Sequence, residues 1–150
     1  MLLDCSNLLQ PGAVNLDVSV PDRDTAIRYA TGLLKNDPAV LDLDGFTESV
    51  LAREHLHSTA LPVGVAFPHT RKSMVQNVVL SALRLKPAVS FEGVMVHLIF
   101  VIGSPANRTA DHLSVLAWLA KKVADAALLN QLLSVETPTG FCELLAAPTS

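Results

Sequence analysis

From Val94 to Gly103 the chain reads VMVHLIFVIG, an apolar run interrupted only by His97 and rich in β-branched residues. A strand with one wet face alternates apolar and polar side chains; a run without alternation has to be covered on both faces. The run is too short to span a bilayer, so it predicts a central strand of a sheet with a layer packed on each side. Gly103, Pro105 and Asn107 close it. The rest of the chain must supply those two covering layers.

Helical spacing supplies them. SVPDRDTAIRYATGLLKND (19–37) predicts a helix with Ser19 and Asp22 as capping groups, Pro21 in the first turn, and Ile27, Ala30 and Leu34 on one face. LDGFTESVLAREHL (43–56) predicts a second, capped by Asp44. TADHLSVLAWLAKKVAD (109–125) predicts a long third helix. Its polar stripe is Asp111, Ser114, Lys121 and Asp125, and Leu113, Leu116, Ala117, Ala120 and Val123 are expected to point inward. Two shorter helices are expected around Ala127–Ser134 and Thr139–Leu145. GVAF (64–67) predicts a short strand stopped by Pro68, and QNVVLSALRL (76–85) a strand ending before Lys86-Pro87. Helices alternating with buried strands predict an α/β sandwich, and 150 residues suit one domain over 1–150.

Composition removes several function classes. The net charge is −3 with no basic run, which argues against nucleic-acid binding. Half of the residues are hydrophobic and only 17% are charged, a thin polar coat that points to a partner surface or a homo-oligomer. Cys5 and Cys142 lack metal-site spacing, and MLLDCSNLLQ has an acid where a signal peptide needs a base. A cytoplasmic protein in a reducing compartment is the expectation.

There is no glycine-rich phosphate loop, nucleophile elbow or CxxC. What remains is five histidines and one oddly placed arginine. Arg53 follows Phe46 and Val50 on the apolar stripe of its helix. Either it snorkels out at the helix end, or its head emerges at an anion site. His69 directly follows the Phe67-Pro68 stop, and is either an exposed loop imidazole or a ligand-binding group at a strand end. His112 falls in the first turn of the long helix, where a half-buried ring is the bland alternative to a group at a phosphate-attracting N-terminus. His97, inside the apolar run, reads as a hydrogen-bonded core residue. His55, His57 and His69 have irregular spacing for zinc, and no metal is expected. Taken together, a nucleophilic imidazole, a second imidazole, a guanidinium and a helix N-terminus are what phosphoryl transfer to histidine needs.

Two longer stretches carry a resemblance. AREHLHSTALPVGVAFPHTR (52–71) resembles the signature of enzyme IIA domains of the fructose/mannitol, nitrogen-regulatory-like type in the bacterial phosphotransferase system. The matching parts are Arg53-Glu54, Ser58-Thr59, Gly64, Ala66 and Pro68-His69. VHLIFVIGSPANRTADHLSVLAWLA (96–120) is similar to the family's central strand and His-Leu-x-x-Leu-Ala helix, through His112, Leu113, Leu116 and Ala117. The resemblance implies an α/β sandwich of a mixed β-sheet flanked by helices, with no cofactor. It implies that His69 is phosphorylated by the histidine-containing phosphocarrier protein, with His112 and Arg53 as active-site neighbours. The group would pass to a cysteine of an enzyme IIB domain, or serve as a regulatory signal. A binding module that keeps the fold and signals without phosphorylation is the alternative. The family's glycine-rich segment before the histidine is TALPVG here, and Thr70 replaces a common glycine. The apolar loop Ala60–Val63 is therefore expected to lie beside His69 and to tune partner choice.

Overall fold

A computed structural model of the protein describes residues 3–148. After 3₁₀ turns at Cys5–Asn7 and Pro11–Ala13 come β1 (Val14–Val18), α1 (Arg23–Gly32) and α2 (Leu43–Leu56). Next are β2 (Val65–Ala66), β3 (His69–Arg71), β4 (Val79–Phe91) and β5 (Val94–Ser104). α3 (Thr109–Ala124), α4 (Ala126–Ser134) and α5 (Pro138–Ala146) close the chain. The strands form one mixed sheet in the order β1-β4-β5-β2, with β3 also pairing β5.

The apolar run is β5, and it is central as predicted. It pairs antiparallel with β4 on one side and parallel with β2 and β3 on the other. From Leu98 to Ser104 every residue is buried. Leu98, Phe100 and Ile102 share a core with Val115, Leu119, Leu132 and Phe141 of the three C-terminal helices. Ile99 and Val101 belong to the opposite core, with Ile27 of α1 and Phe46 and Val50 of α2. Two cores on the two faces of one strand make the continuous apolar run intelligible.

Several expectations are corrected. β4 does not stop at Lys86-Pro87 but continues to Phe91. Its pairing with β1 ends at Leu85, and its register against β5 shifts between Arg84 and Val89. Pro87 thus sits on a free edge at a bulge, where a missing N–H breaks no ladder. The cap of α2 is Asp42, whose side chain accepts from the Gly45 N–H; Asp44 is two residues further in, already inside the first turn. The cap of α1 is Asp22 rather than Ser19, and the helix ends at Gly32, leaving Leu34 buried in the following turn. The inward face of α3 is carried by His112, Val115, Leu119 and Val123, while Leu113 is 59% exposed and Ala117 and Ala120 face out. His97 is exposed, not a core residue.

The larger correction concerns the loop before His69. β2 and β3 form a single edge line along β5, interrupted at Phe67-Pro68, with Val65 opposite Leu98 and His69 opposite Ile102. Ala60–Val63 lies at the other end of that line, where Leu61 bridges Val65 in a tight turn. At about 3.3 Å per residue, the turn is more than 10 Å from His69 along the sheet. Gly64 closes the turn with φ +90, and an added Cβ would stand 2.9 Å from the His97 ring. The retained glycine therefore serves a left-handed backbone and a close approach, and the loop forms no rim around His69.

Candidate functional site

His69 is the first residue of β3, not a loop residue, and is half-buried. Its Nδ1 lies 2.6 Å from the Phe67 carbonyl oxygen. A carbonyl only accepts, so Nδ1 carries the proton and donates, and Nε2 keeps an open lone pair. His112, in the first turn of α3, is 6% exposed and its ring centroid is 5.2 Å from that of His69. Its Nδ1 is 2.8 Å from the Oγ of Ser104, a fully buried residue at the end of β5. Among the described residues that hydroxyl has no other partner, and its buried proton is satisfied only when it donates to Nδ1; that arrangement places the His112 N–H on Nε2. The two rings are held in complementary forms: one offers a lone pair, the other a proton.

Both rings line a cavity of about 440 Å³ between α2, β3 and the start of α3. Its charged lining, among the described residues, is Arg53, Arg71 and Lys72, with no carboxylate. Arg53 reaches it because Phe46 and Val50, on the same stripe of α2, are sunk in the core and aim the helix end at the cavity. Gly103 permits that approach, since a Cβ there would stand 2.5 Å from the Phe46 ring. Arg53 also donates through Nη1 to the His57 carbonyl at 3.2 Å, closing its own helix. The two sequence readings of Arg53 thus meet: it emerges at the helix end, and it emerges here. Ser49 of α2 and Thr70 of β3 share a buried hydroxyl hydrogen bond of 2.7 Å beneath the cavity.

Burial, above all, pushes the His69 pKa below its ordinary value; the Phe67 hydrogen bond and Glu54 oppose this, and Arg53 adds to it. His112 is pushed down from 6.5 to about 4, first by burial and then by His69 and Arg71. Both rings are therefore neutral near pH 7, the form that attacks and the form that donates. The same shift makes a stability prediction. Between pH 6.5 and about 4 the unfolded His112 binds a proton that the folded one refuses, so stability falls with pH through that window and levels off below it. Thermal melts of His112→Gln across the same window should show a shallower fall; an identical slope would leave the acid sensitivity to other groups.

The sequence-predicted residues His69, His112 and Arg53 come together, whereas His55 and His57 do not join them. His55 pairs with Asp24 at 2.9 Å, His57 caps α2, and no three metal-ligating side chains converge among the described residues. Arg71 was missed. It lies two residues after His69 on a strand, so period-two alternation places it on the same side, but only once Pro68 is seen to interrupt a strand rather than end it. Its Nη1 donates to the hydroxyl of Thr109 in the first turn of α3. A larger cleft of about 620 Å³ lies elsewhere, around Arg84. There the guanidinium is already engaged by Asp17 and by the Leu132 and Val135 carbonyls, and the lining carries carboxylates, Asp17 and Glu136, beside Lys86.

Residues 7–147 match the family model described as phosphoenolpyruvate-dependent sugar phosphotransferase system, EIIA 2. A nitrogen regulatory protein of Pseudomonas aeruginosa is 26% identical over 147 residues, covering 96% of this chain and 96% of its own length. The crystal structure of the nitrogen regulatory protein IIA-Ntr from Neisseria meningitidis superposes with a TM-score of 0.85 at 31% identity, covering 93% of this chain and 97% of that one. The same fold, at a TM-score of 0.78 and 21% identity, occurs in Escherichia coli enzyme IIA mannitol, in its complex with phosphorylated enzyme IIB mannitol; there 93% of this chain and 99% of the other are covered. A match across nearly the whole chain, over a cation-lined pair of neutral imidazoles, shows that this protein belongs to the EIIA 2 family and is a phosphoryl-transfer component of the phosphoenolpyruvate-dependent phosphotransferase system.

Proposed function

We propose that His69 is the residue that carries the phosphoryl group. The observation that carries this reading is the open Nε2 of His69, set by the Nδ1 hydrogen bond, in a cavity whose charged side chains are all cationic among the described residues. In the forward step the Nε2 lone pair forms a P–N bond while the donor's bond to phosphorus breaks, its electron pair returning to the donor. The ring keeps its Nδ1 proton and becomes cationic, and the Phe67 carbonyl faces that new charge. Arg53 and Arg71 hold the equatorial oxygens, and His112 Nε2–H donates to one of them.

The histidine-containing phosphocarrier protein is the donor in this reading. The acceptor is a cysteine of an enzyme IIB domain or, in a regulatory setting, the phosphorylated form is itself the signal. The IIA–IIB mannitol complex supports the first, and the similarity to nitrogen regulatory proteins the second. Incubation with phosphoenolpyruvate, enzyme I and the phosphocarrier protein should add one acid-labile phosphoryl group per chain. No uptake, with the chain folded, would overturn the proposal. Within it, His112→Gln keeps an N–H donor and should remain partly active, while His112→Ala should transfer more slowly. Equal, near-normal rates for the two variants would reduce His112 to a packing residue.

A further inference from the structure

Glu54 is a carboxylate in the last turn of α2 with 0% exposure, and among the described residues no cation pairs with it. Such a group is expensive to bury unless donors satisfy it. Both oxygens are satisfied by one residue: Oε2 accepts the Thr59 N–H and Oε1 the Thr59 hydroxyl, each at 2.8 Å. A carboxylate cannot donate, so the Thr59 proton must point at Glu54 and its lone pair must point away. That lone pair accepts the Phe67 N–H at 2.9 Å. Phe67 stands at the break between β2 and β3, and Pro68 offers no N–H of its own to hold the next peptide. The Phe67 carbonyl then accepts the Nδ1 proton of His69 at 2.6 Å.

We propose that Glu54 is a positioning residue for phosphoryl transfer: through Thr59 it holds the Phe67 backbone where its carbonyl keeps His69 in the Nδ1–H tautomer and aims Nε2 into the cavity. This rests on the reading of His69 as the phosphoryl acceptor. Glu54 itself touches neither phosphorus nor the reacting nitrogen. Every bond in the chain has one allowed direction, and the carboxylate sets the first. Its charge also lies on the side of the ring that becomes cationic on phosphorylation. The other charged or titratable groups that bear on His69 are Arg53 from α2, Arg71 and Lys72 from its own segment, and His112 from α3.

Substituting the carboxylate by an amide tests it. Glu54→Gln retains one acceptor, and its amide N–H either opposes the Thr59 N–H or turns the Thr59 hydroxyl from donor to acceptor. Ring-nitrogen NMR of the unphosphorylated full chain should show His69 almost wholly in the Nδ1–H form. In Glu54→Gln and in Thr59→Val it should become a mixture of tautomers, and phosphoryl uptake should fall at least about tenfold through misorientation. Thr59→Ser, which keeps the hydroxyl, should restore both. Glu54→Gln should also lower the His69 pKa further, since it removes a nearby negative charge, whereas Thr59→Val leaves that charge in place. Unchanged ring-nitrogen signals in a folded Glu54→Gln protein would overturn the proposal; if that variant does not fold, unchanged signals in Thr59→Val would do so. The spectrum is read before any transfer, so it judges Glu54 independently. Failure of the unaltered chain to take up phosphate would count against the phosphocarrier reading instead.

Discussion

With His69 replaced by alanine, the protein is expected to take up no phosphoryl group from a system that labels the unaltered chain once. The expectation rests on the ring nitrogens. His112 is the other imidazole in the cavity, but its Nε2 carries the proton and its one lone pair, on Nδ1, is turned away to the buried Ser104, so none is free to attack. The loss should be all-or-none, because among the described residues lining the cavity no second imidazole offers a free lone pair. The fold should survive. His69 is half-buried at the start of an edge strand, and its removal ends one side-chain hydrogen bond, to the Phe67 carbonyl, worth about 1 kcal/mol. Acid-labile labelling and thermal melting of the same preparation check both halves. Full labelling of His69→Ala would move the reaction to another residue.

Arg53→Lys is expected to slow phosphoryl transfer by at least roughly tenfold while leaving melting unchanged. In well-studied phosphoryl transfers a positioned guanidinium is worth about 10³–10⁵ in rate, and the effect here should be smaller because the proposed relay, between histidine nitrogens, is reversible. Arg53 spends one Nη1 bond on the His57 carbonyl and lines the cavity, with the other donors of its planar fork unspent among the described residues. An ammonium keeps the charge but cannot hold the helix end and two phosphoryl oxygens together. Stability should be spared because the side chain lies at the C-terminal end of α2, outside the core formed by Phe46 and Val50. A normal rate in Arg53→Lys would show that charge alone suffices and that the planar geometry does nothing.

Legibility in the sequence followed physical scale. The central strand could be read because burial on both faces leaves a dense local signature, as at Leu98–Ile102. β1 and β3 could not: short strands take their identity from the partner they pair with, and that partner is remote in the chain. Proline misled twice, at Pro68 and Pro87. On an edge or at a bulge it interrupts a ladder without ending the strand. The face of α3 was right at Leu116 and Val123 and wrong at Leu113, Ala117 and Ala120, because the helix is apolar over most of its circumference and its pattern alone left the rotation open. The Ala60–Val63 loop was placed by its nearness in sequence to His69, and the extended chain between them carries it to the far end of the sheet.

The candidate site divides in the same way. Local sequence determined which groups are available: an imidazole after a proline, a guanidinium on an apolar stripe, an imidazole in the first turn of a helix. It also determined that one strand would be sandwiched, since an unbroken apolar run has no other stable place in water. Only the tertiary structure decided what those groups are chemically. Whether a ring offers a lone pair or a proton depends on which buried neighbour occupies its other nitrogen. For His112 that neighbour, Ser104, arrives from another element; for His69 it is the nearby Phe67 carbonyl, whose residue is held by Thr59 and, behind it, by Glu54. Tautomer, charge state and aim are properties of that packed arrangement, because hydrogen bonds and burial act at a few ångströms in space and ignore distance along the chain.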